Sequence, residues 1–275
     1  MKNQNTFELI AKIAIRVAVV ITLGVLIFLV GFILVKGLPY IKPSMFSFTY
    51  NSDNVSLMPA LISTIIITLF SLLISVPLGV FSAIYLSEYA KKNNKLVLLI
   101  RVTTETLSGI PSIVYGLFGM LFFVTFLGWG YSFLAGTFTL AIMILPLIIR
   151  TSEEALKAVS DTYREGSFGL GAGKLRTVFK IVVPSAIPGI LSGIILAVGR
   201  IVGETAAVIY TSGTVAQIPT NLLMSVRTLS VHMYALSSEG LHMNEGYATA
   251  IVLLIVVVLI NMLSSRIAKK IGGSL

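Results

Sequence analysis

The sequence predicts an all-α membrane protein with six transmembrane helices, and three observations carry that expectation. Of its 275 residues, 56% are hydrophobic and only 11% are charged, against about 25% charged in a soluble domain. The mean hydropathy is +0.97. The sparse charges separate long apolar runs, several of which approach the ~20 residues a helix needs to cross a bilayer. The chain has no cysteine, which excludes disulfides, thiolate chemistry and Cys-ligated metal centres.

The whole chain, 1–275, reads as one transmembrane domain. The first expected span, 17–35, is an uncharged run behind Lys12 and Arg16. No small-residue cleavage site precedes Lys36, so it reads as a retained helix rather than a signal peptide. The second, 59–86, contains Pro77, where a kink is expected. The third, 110–127, follows a polar stretch from Lys95 to Ser108, with a bend expected at Gly109 and Pro111. The fourth, 131–149, is reached through a turn at Gly128-Trp129-Gly130-Tyr131, whose aromatics suit a membrane interface. The fifth, 186–211, holds Arg200 and Glu204, and the sixth, 247–265, closes on Arg266, Lys269 and Lys270.

Basic residues mark orientation, because Lys and Arg are retained in cytoplasmic loops. Sixteen of the twenty fall on one side of the six-span scheme: Lys2, Lys12 and Arg16; Lys91, Lys92, Lys95 and Arg101; six between Arg150 and Lys180; and three at the C-terminus. The opposite side has Lys36, Lys42 and Arg227. Both termini are therefore expected in the cytoplasm. The formal net charge of +9 is then a topology signal, and nucleic acid is not an expected partner.

The connection 150–183 is too long and too periodic for a simple tether. Thr162 and Glu165 have capping-box spacing, and Gly169, Gly171 and Gly173 would end the helix within two turns. A second amphipathic stretch follows with Leu175, Val178 and Phe179. Two roles fit this pattern, a dock for a cytoplasmic partner and an amphipath resting on headgroups. The run GLGAGK is no phosphate-binding loop: Phe168 stands where the first glycine is needed and Leu175 where Ser or Thr is needed. The connection after the fifth span, 212–246, is expected to hold a short helix over 221–234. His232-Met233 and His242-Met243 read as interface residues rather than metal ligands, and no metal or cofactor site is expected.

Charges inside spans carry the remaining signal. An intramembrane ion needs a partner or water, and Arg200 and Glu204 are four apart, on one face of a helix. Two readings stand: an ion pair that fixes this helix, or a substrate pathway in which the guanidinium offers a donor fork to an oxyanion and the carboxylate moderates it. Arg101, Thr104, Glu105, Ser108 and Ser112 form a similar stripe, either lining a vestibule or solvating a helix end. Gly189/Gly193 and Gly199/Gly203 have the small-xxx-small spacing that permits close helix contact.

The segment REGSFGLGAGKLRTVFKIVVPSAIPG resembles the EAA loop of ABC importer permeases, with Glu165, Gly171, Ile181 and Pro184 in register and Gly166 and Ser167 replacing the two alanines. LSGIPSIVYGLFG, GRIVGETAAVIYTSG and LSVHMYALSSEG are similar to the PstA family of phosphate importer permeases. The resemblance implies the MetI-like fold of type I importer permeases and no enzymatic activity of the chain's own. It further implies an ATPase-coupling helix at Glu165, Gly166, Ser167, Phe168 and Gly171. The implied partners are two copies of an ATP-binding subunit, a second permease of the PstC kind and an extracytoplasmic phosphate-binding protein, in a bacterial inner membrane. A permease for sulfate or molybdate, and a secondary anion carrier, are the alternatives.

Overall fold

The computed structural model describes residues 2–272 apart from 92, 93 and 239, so Lys92 of the basic count lies outside the described residues, as do the side chains of Lys2, Lys269 and Lys270. It is all-α among those residues. Five helices are long and apolar enough to cross a membrane, and a bent pair makes a sixth.

Helix α1 (Lys2–Gly37) runs beyond both expected limits and displays isoleucine, valine, leucine and phenylalanine all round it, as a helix sheathed in lipid does. It leans on α11 (Met243–Gly272), where a Cβ added at Gly37 would lie 2.6 Å from the Tyr247 carbonyl. Two 3₁₀ turns, Leu38–Tyr40 and Pro43–Phe46, follow. Helix α2 (Met58–Ile84) continues through Pro77 and widens into a π turn, Tyr85–Tyr89. Its buried Thr64, Thr68 and Ser75 return hydroxyl hydrogens to carbonyls one turn back, and Ser71 reaches the Thr137 carbonyl at 3.1 Å.

The third span is bent at the expected place. Helix α3 (Lys95–Ser108) and α4 (Ser112–Gly119, extended by a π segment, Met120–Phe126) meet at 102° across Gly109–Pro111. Pro111 cannot continue the first helix. The apolar piece alone, at ~1.5 Å per residue, is too short for the whole hydrocarbon layer. After it, Gly128 and Gly130 take φ of +69° and +64°, and Trp129 stacks on Phe123 with centroids 5.3 Å apart.

Helix α5 (Phe133–Lys157) runs two turns past the expected limit at 149. Charge pairs at helical spacing sustain it, Arg150 with Glu154 at 3.0 Å and Lys157 with Glu153 at 2.7 Å. Then come α6 (Asp161–Gly169), α7 (Lys174–Thr177), a π turn (Val178–Val182) and α8 (Val183–Val202). From Lys174 onward these last three make one helix. The expected amphipathic stretch around Leu175 is therefore the start of the fifth span, twelve residues earlier than 186. That span also ends early: Gly203 caps α8, and a separate α9 (Ala206–Thr211) carries the chain on.

The expected helix over 221–234 begins only at Leu229, as α10 (Leu229–Ser238). The residues before it are spent on another helix: the Met224 and Leu222 carbonyls accept from the Phe133 and Leu134 amides at 2.7 and 2.9 Å, capping the buried N-terminus of α5. The core lies where α2, α5 and α8 meet, around Ile67, Leu140, Ile144, Ile148 and Ile201. Gly189 and Gly193 pack α8 against Ala155 and Thr151 of α5, whereas Gly199 has no such neighbour. Of the two glycine pairs, then, one closes a contact between helices of this chain.

Candidate functional site

The bundle has two ends, a basic end carrying α6 and an opposite end carrying α9 and α10. Helix α6 is capped by Ser160, whose Oγ accepts from the Thr162 amide at 3.3 Å. The capping box expected at Thr162 and Glu165 is not formed, because the helix starts two residues earlier and Asp161 occupies its first turn. Its C-terminus follows the sequence expectation. Gly171, at φ +82°, donates to the Phe168 carbonyl and Ala172 to the Ser167 carbonyl, the paired bonds of a Schellman cap. Glu165, Gly166 and Phe168 are exposed, as are Tyr163 and Leu170, the last at 92%. Ser167 instead faces inward, sharing a hydrogen with Thr177 at 2.8 Å.

Arg164 anchors this helix, a role its sequence context did not reveal. Its guanidinium reaches Glu88 in the π turn after α2 (Nη2 to Oε1 2.7 Å, Nε to Oε2 3.3 Å), Asp161 at 3.0 Å, and the carbonyls of Leu156 in the last turn of α5 and Val159 just beyond it at 3.0 and 2.7 Å. One side chain thus ties α6 to two spans. The signal was long-range, since Glu88 lies 76 residues away.

Beside it, Arg101 donates from Nε to Glu153 at 2.8 Å and from Nη2 to the Leu86 carbonyl at 2.9 Å. Glu153 is buried and also takes Lys157. Arg101, Thr104 and the exposed Glu105 line a cavity of about 210 Å³ with these α5 charges. Three members of the expected stripe thus share this cavity, with Arg101 paired across to α5 and its donors largely committed, whereas Ser112 lies beyond the bend on α4.

Arg200 and Glu204 are separated by the break in the fifth span. Arg200 stays in the last turn of α8, where a cation suits the carbonyl end of the helix dipole. Glu204, 8% exposed, has turned away: its Oε1 accepts from the Ala207 amide at 3.1 Å, capping α9, and its carbonyl accepts from Ser230 at 2.7 Å. The two do not form an ion pair, and no carboxylate lies within 4.0 Å of Arg200 among the described residues. Arg200 is half-buried and lines an apolar cavity of about 610 Å³ with Ser192, Gly199, Leu147 and Asn261 of α11. Asn261, whose Oδ1 is buried without a partner among the described residues, was hidden in an apolar run.

Broken helices, a charged turn within one of them and a capped helix between two spans are the features of a polytopic membrane transport protein. Residues 75–272 match the profile described as binding-protein-dependent transport system inner membrane component, and the chain belongs to that family. Among relatives, the probable ABC transporter permease protein YqgI of Bacillus subtilis is 33% identical over 87% of this chain and 86% of its own length. The phosphate transport system permease protein PstA of Yersinia pestis is 34% identical over 80% and 75%, and PstA 1 of Mycobacterium tuberculosis (strain H37Rv) 34% over 76% and 68%. Two solved structures share the fold: the MetNI methionine ABC transporter (TM-score 0.61, 22% identity, 78% of this chain and 94% of that one) and a bacterial ABC transporter that imports alginate (0.63, 14%, 93% and 95%). The chain is an ABC importer permease subunit of the PstA kind, a multi-pass membrane component.

Proposed function

We propose that this subunit forms one half of the membrane pathway of an ATP-driven importer of inorganic phosphate. The observation that carries the reading is Arg200: a guanidinium without a carboxylate partner among the described residues, on the wall of an apolar cavity inside a membrane span. A cation within a membrane span needs a partner or water, and a passing oxyanion supplies a counter-charge while meeting a two-donor fork. The similarity to PstA proteins supports phosphate over sulfate or molybdate.

In this reading the second wall of the pathway comes from a PstC-like permease. Of the two ATP-binding subunits, one docks on the exposed face of α6 around Glu165, Gly166 and Phe168 and the other on the second permease, and an extracytoplasmic phosphate-binding protein delivers cargo to the opposite end. Both termini lie in the cytoplasm of the inner membrane, as the sixteen basic residues suggest. ATP closure on α6 would be carried through Arg164 to α2 and α5. Arg101 and Glu105 then serve the inward-facing mouth, Glu105 as its free charge. A secondary carrier would have no use for a capped helix with exposed aromatics between two spans.

The test is phosphate uptake by the reconstituted complex. Arg200→Ala is expected to leave the subunit abundant and assembled with uptake at background, and Arg200→Lys to retain a fraction, since it keeps charge but loses bidentate geometry. Because Glu204 caps α9 rather than pairing with Arg200, Glu204→Gln should be tolerated. Parent-level uptake by Arg200→Ala would remove Arg200 from the pathway.

A further inference from the structure

Three unfavourable features meet at one place near the end of the bundle opposite α6. Arg227 is only 6% exposed, and its Nε and Nη2 find no hydrogen-bond acceptor among the described residues. Its guanidinium carbon lies 4.5 Å from the centroid of the Tyr50 ring, a cation–π contact that returns far less than burying an ion without a counter-ion costs. His232 is fully buried, the Val55 backbone is its one polar neighbour, and neither ring nitrogen reaches a partner in good hydrogen-bond geometry among the described residues; it meets the same Tyr50 ring edge-on at 6.1 Å. Val55, β-branched and buried, sits at φ +45°, a region such residues rarely enter. It belongs to the segment that carries Tyr50 over the two side chains, held in its turn by Asn51 and Asn54, each of whose side-chain carbonyls accepts from the other's amide.

A strained cover over side chains with unmet hydrogen bonds is an arrangement that a ligand would relieve. The unmet groups say which ligand. The Nε/Nη2 edge of a guanidinium is the fork that two oxygens of a tetrahedral oxyanion fill. A neutral imidazole offers one donor and one acceptor. Hydrogen phosphate can answer both, because it carries its own O–H, whereas sulfate has no hydrogen to give. We propose that Arg227 and His232 form an oxyanion receptor selective for hydrogen phosphate, covered by residues 50–57. It lies two and three residues from a direct link into the bundle: the Leu229 amide donates to Thr64 of α2, and Ser230 to the Glu204 carbonyl where the fifth span breaks, each at 2.7 Å. Cargo would meet Arg227 first and Arg200 second. The proposal rests on the reading of the chain as an oxyanion importer permease.

The experiment uses the co-purified complex in nanodiscs, with a hydrolysis-deficient ATPase held in ATP, and measures binding of radiolabelled orthophosphate with sulfate as competitor. Arg227→Gln is expected to weaken phosphate at least tenfold, with Arg227→Lys between it and the parent. His232→Leu should narrow the preference for phosphate over sulfate at least fivefold. Unchanged phosphate affinity in Arg227→Gln overturns the receptor, as does a variant that binds phosphate normally but captures the ligand-free binding protein less well, which would make the fork a seat for a partner carboxylate. Should Arg227→Gln not assemble, Tyr50→Cys decides in a chain without native cysteine. Phosphate should slow its labelling by an impermeant maleimide at least threefold, and equal rates with and without phosphate overturn the proposal. If the parent binds sulfate or molybdate in an Arg227-dependent way but not phosphate, the hydrogen-phosphate selectivity is overturned together with the phosphate reading, while the permease assignment stands. If the parent binds no oxyanion in this state, the receptor falls even where uptake still depends on Arg200.

Discussion

Desolvation first, and then the neighbouring Arg227 guanidinium, push the His232 imidazole down from 6.5 to about 3, and the nearby Val55 backbone offsets only part of this. The folded chain therefore keeps His232 neutral while an unfolded chain protonates it below about pH 6.5. With the folded value depressed, the unfolded state binds more protons between about pH 6.5 and 3, so stability is fully present above that window and declines as the pH falls through it. The expected slope is about 1.4 kcal/mol per pH unit from this residue. Thermal unfolding of the purified complex between pH 7 and 5 checks it: His232→Gln, which cannot titrate, should flatten the dependence, and an identical slope would mean the ring is solvated. None of this was readable locally, because His232 in sequence is a histidine beside a methionine on a connection. Its burial comes from Tyr50 and Val55, some 180 residues away. Glu88 escaped notice for the same reason, since a side chain's partner determines its role and Arg164 is remote from it in sequence.

At the level of the elements, α6 is short, and nine residues do not hold a helix in water. Its Schellman cap at Gly171 and the Arg164 hub supply what length does not. Removing one partner of a buried, hydrogen-bonded ion pair costs about 3–5 kcal/mol, so Glu88→Ala should loosen α6 from α2. Arg164→Lys keeps a charge but cannot reach Glu88, Asp161 and two carbonyls together. Both variants are expected to remain in the membrane and to hydrolyse ATP in the complex while uptake falls at least tenfold. A double-mutant cycle of Glu88→Ala with Arg164→Ala, read by thermal unfolding, should show coupling of roughly 1–3 kcal/mol. Additive effects would mean that the pair does not act as one link. The existence and stop of α6 were legible in its glycines, because caps are local chemistry. Its true start at Ser160 and its anchor were not.

On the scale of the molecule, the asymmetry of basic residues suggests that α6 and both termini share a compartment. The chain lacks cysteine, so single substitutions report topology directly. Cysteine at Ser52 or Ser238 should react with an impermeant thiol reagent added outside intact cells, and cysteine at Lys174 only after permeabilisation. The reverse pattern would invert the arrangement.

What the sequence determined by itself is whatever depends on composition and near neighbours: six apolar segments in an all-α chain, glycine-made turns at Gly128, Gly130 and Gly171, a bend before Pro111, and the EAA-like loop in register. Each follows from the reach of a few residues, the length of a helix against a bilayer or the φ a glycine allows. Only the tertiary structure decided where helices break and which charges meet. Arg200 and Glu204 look paired at helical spacing, yet Gly203 ends α8 between them and the N-terminus of α9 claims the carboxylate. Arg101 finds Glu153 rather than Glu105, and Arg164 finds Glu88. Away from water a polar group gains from whatever partner packing brings within reach, and packing joins residues the chain keeps far apart.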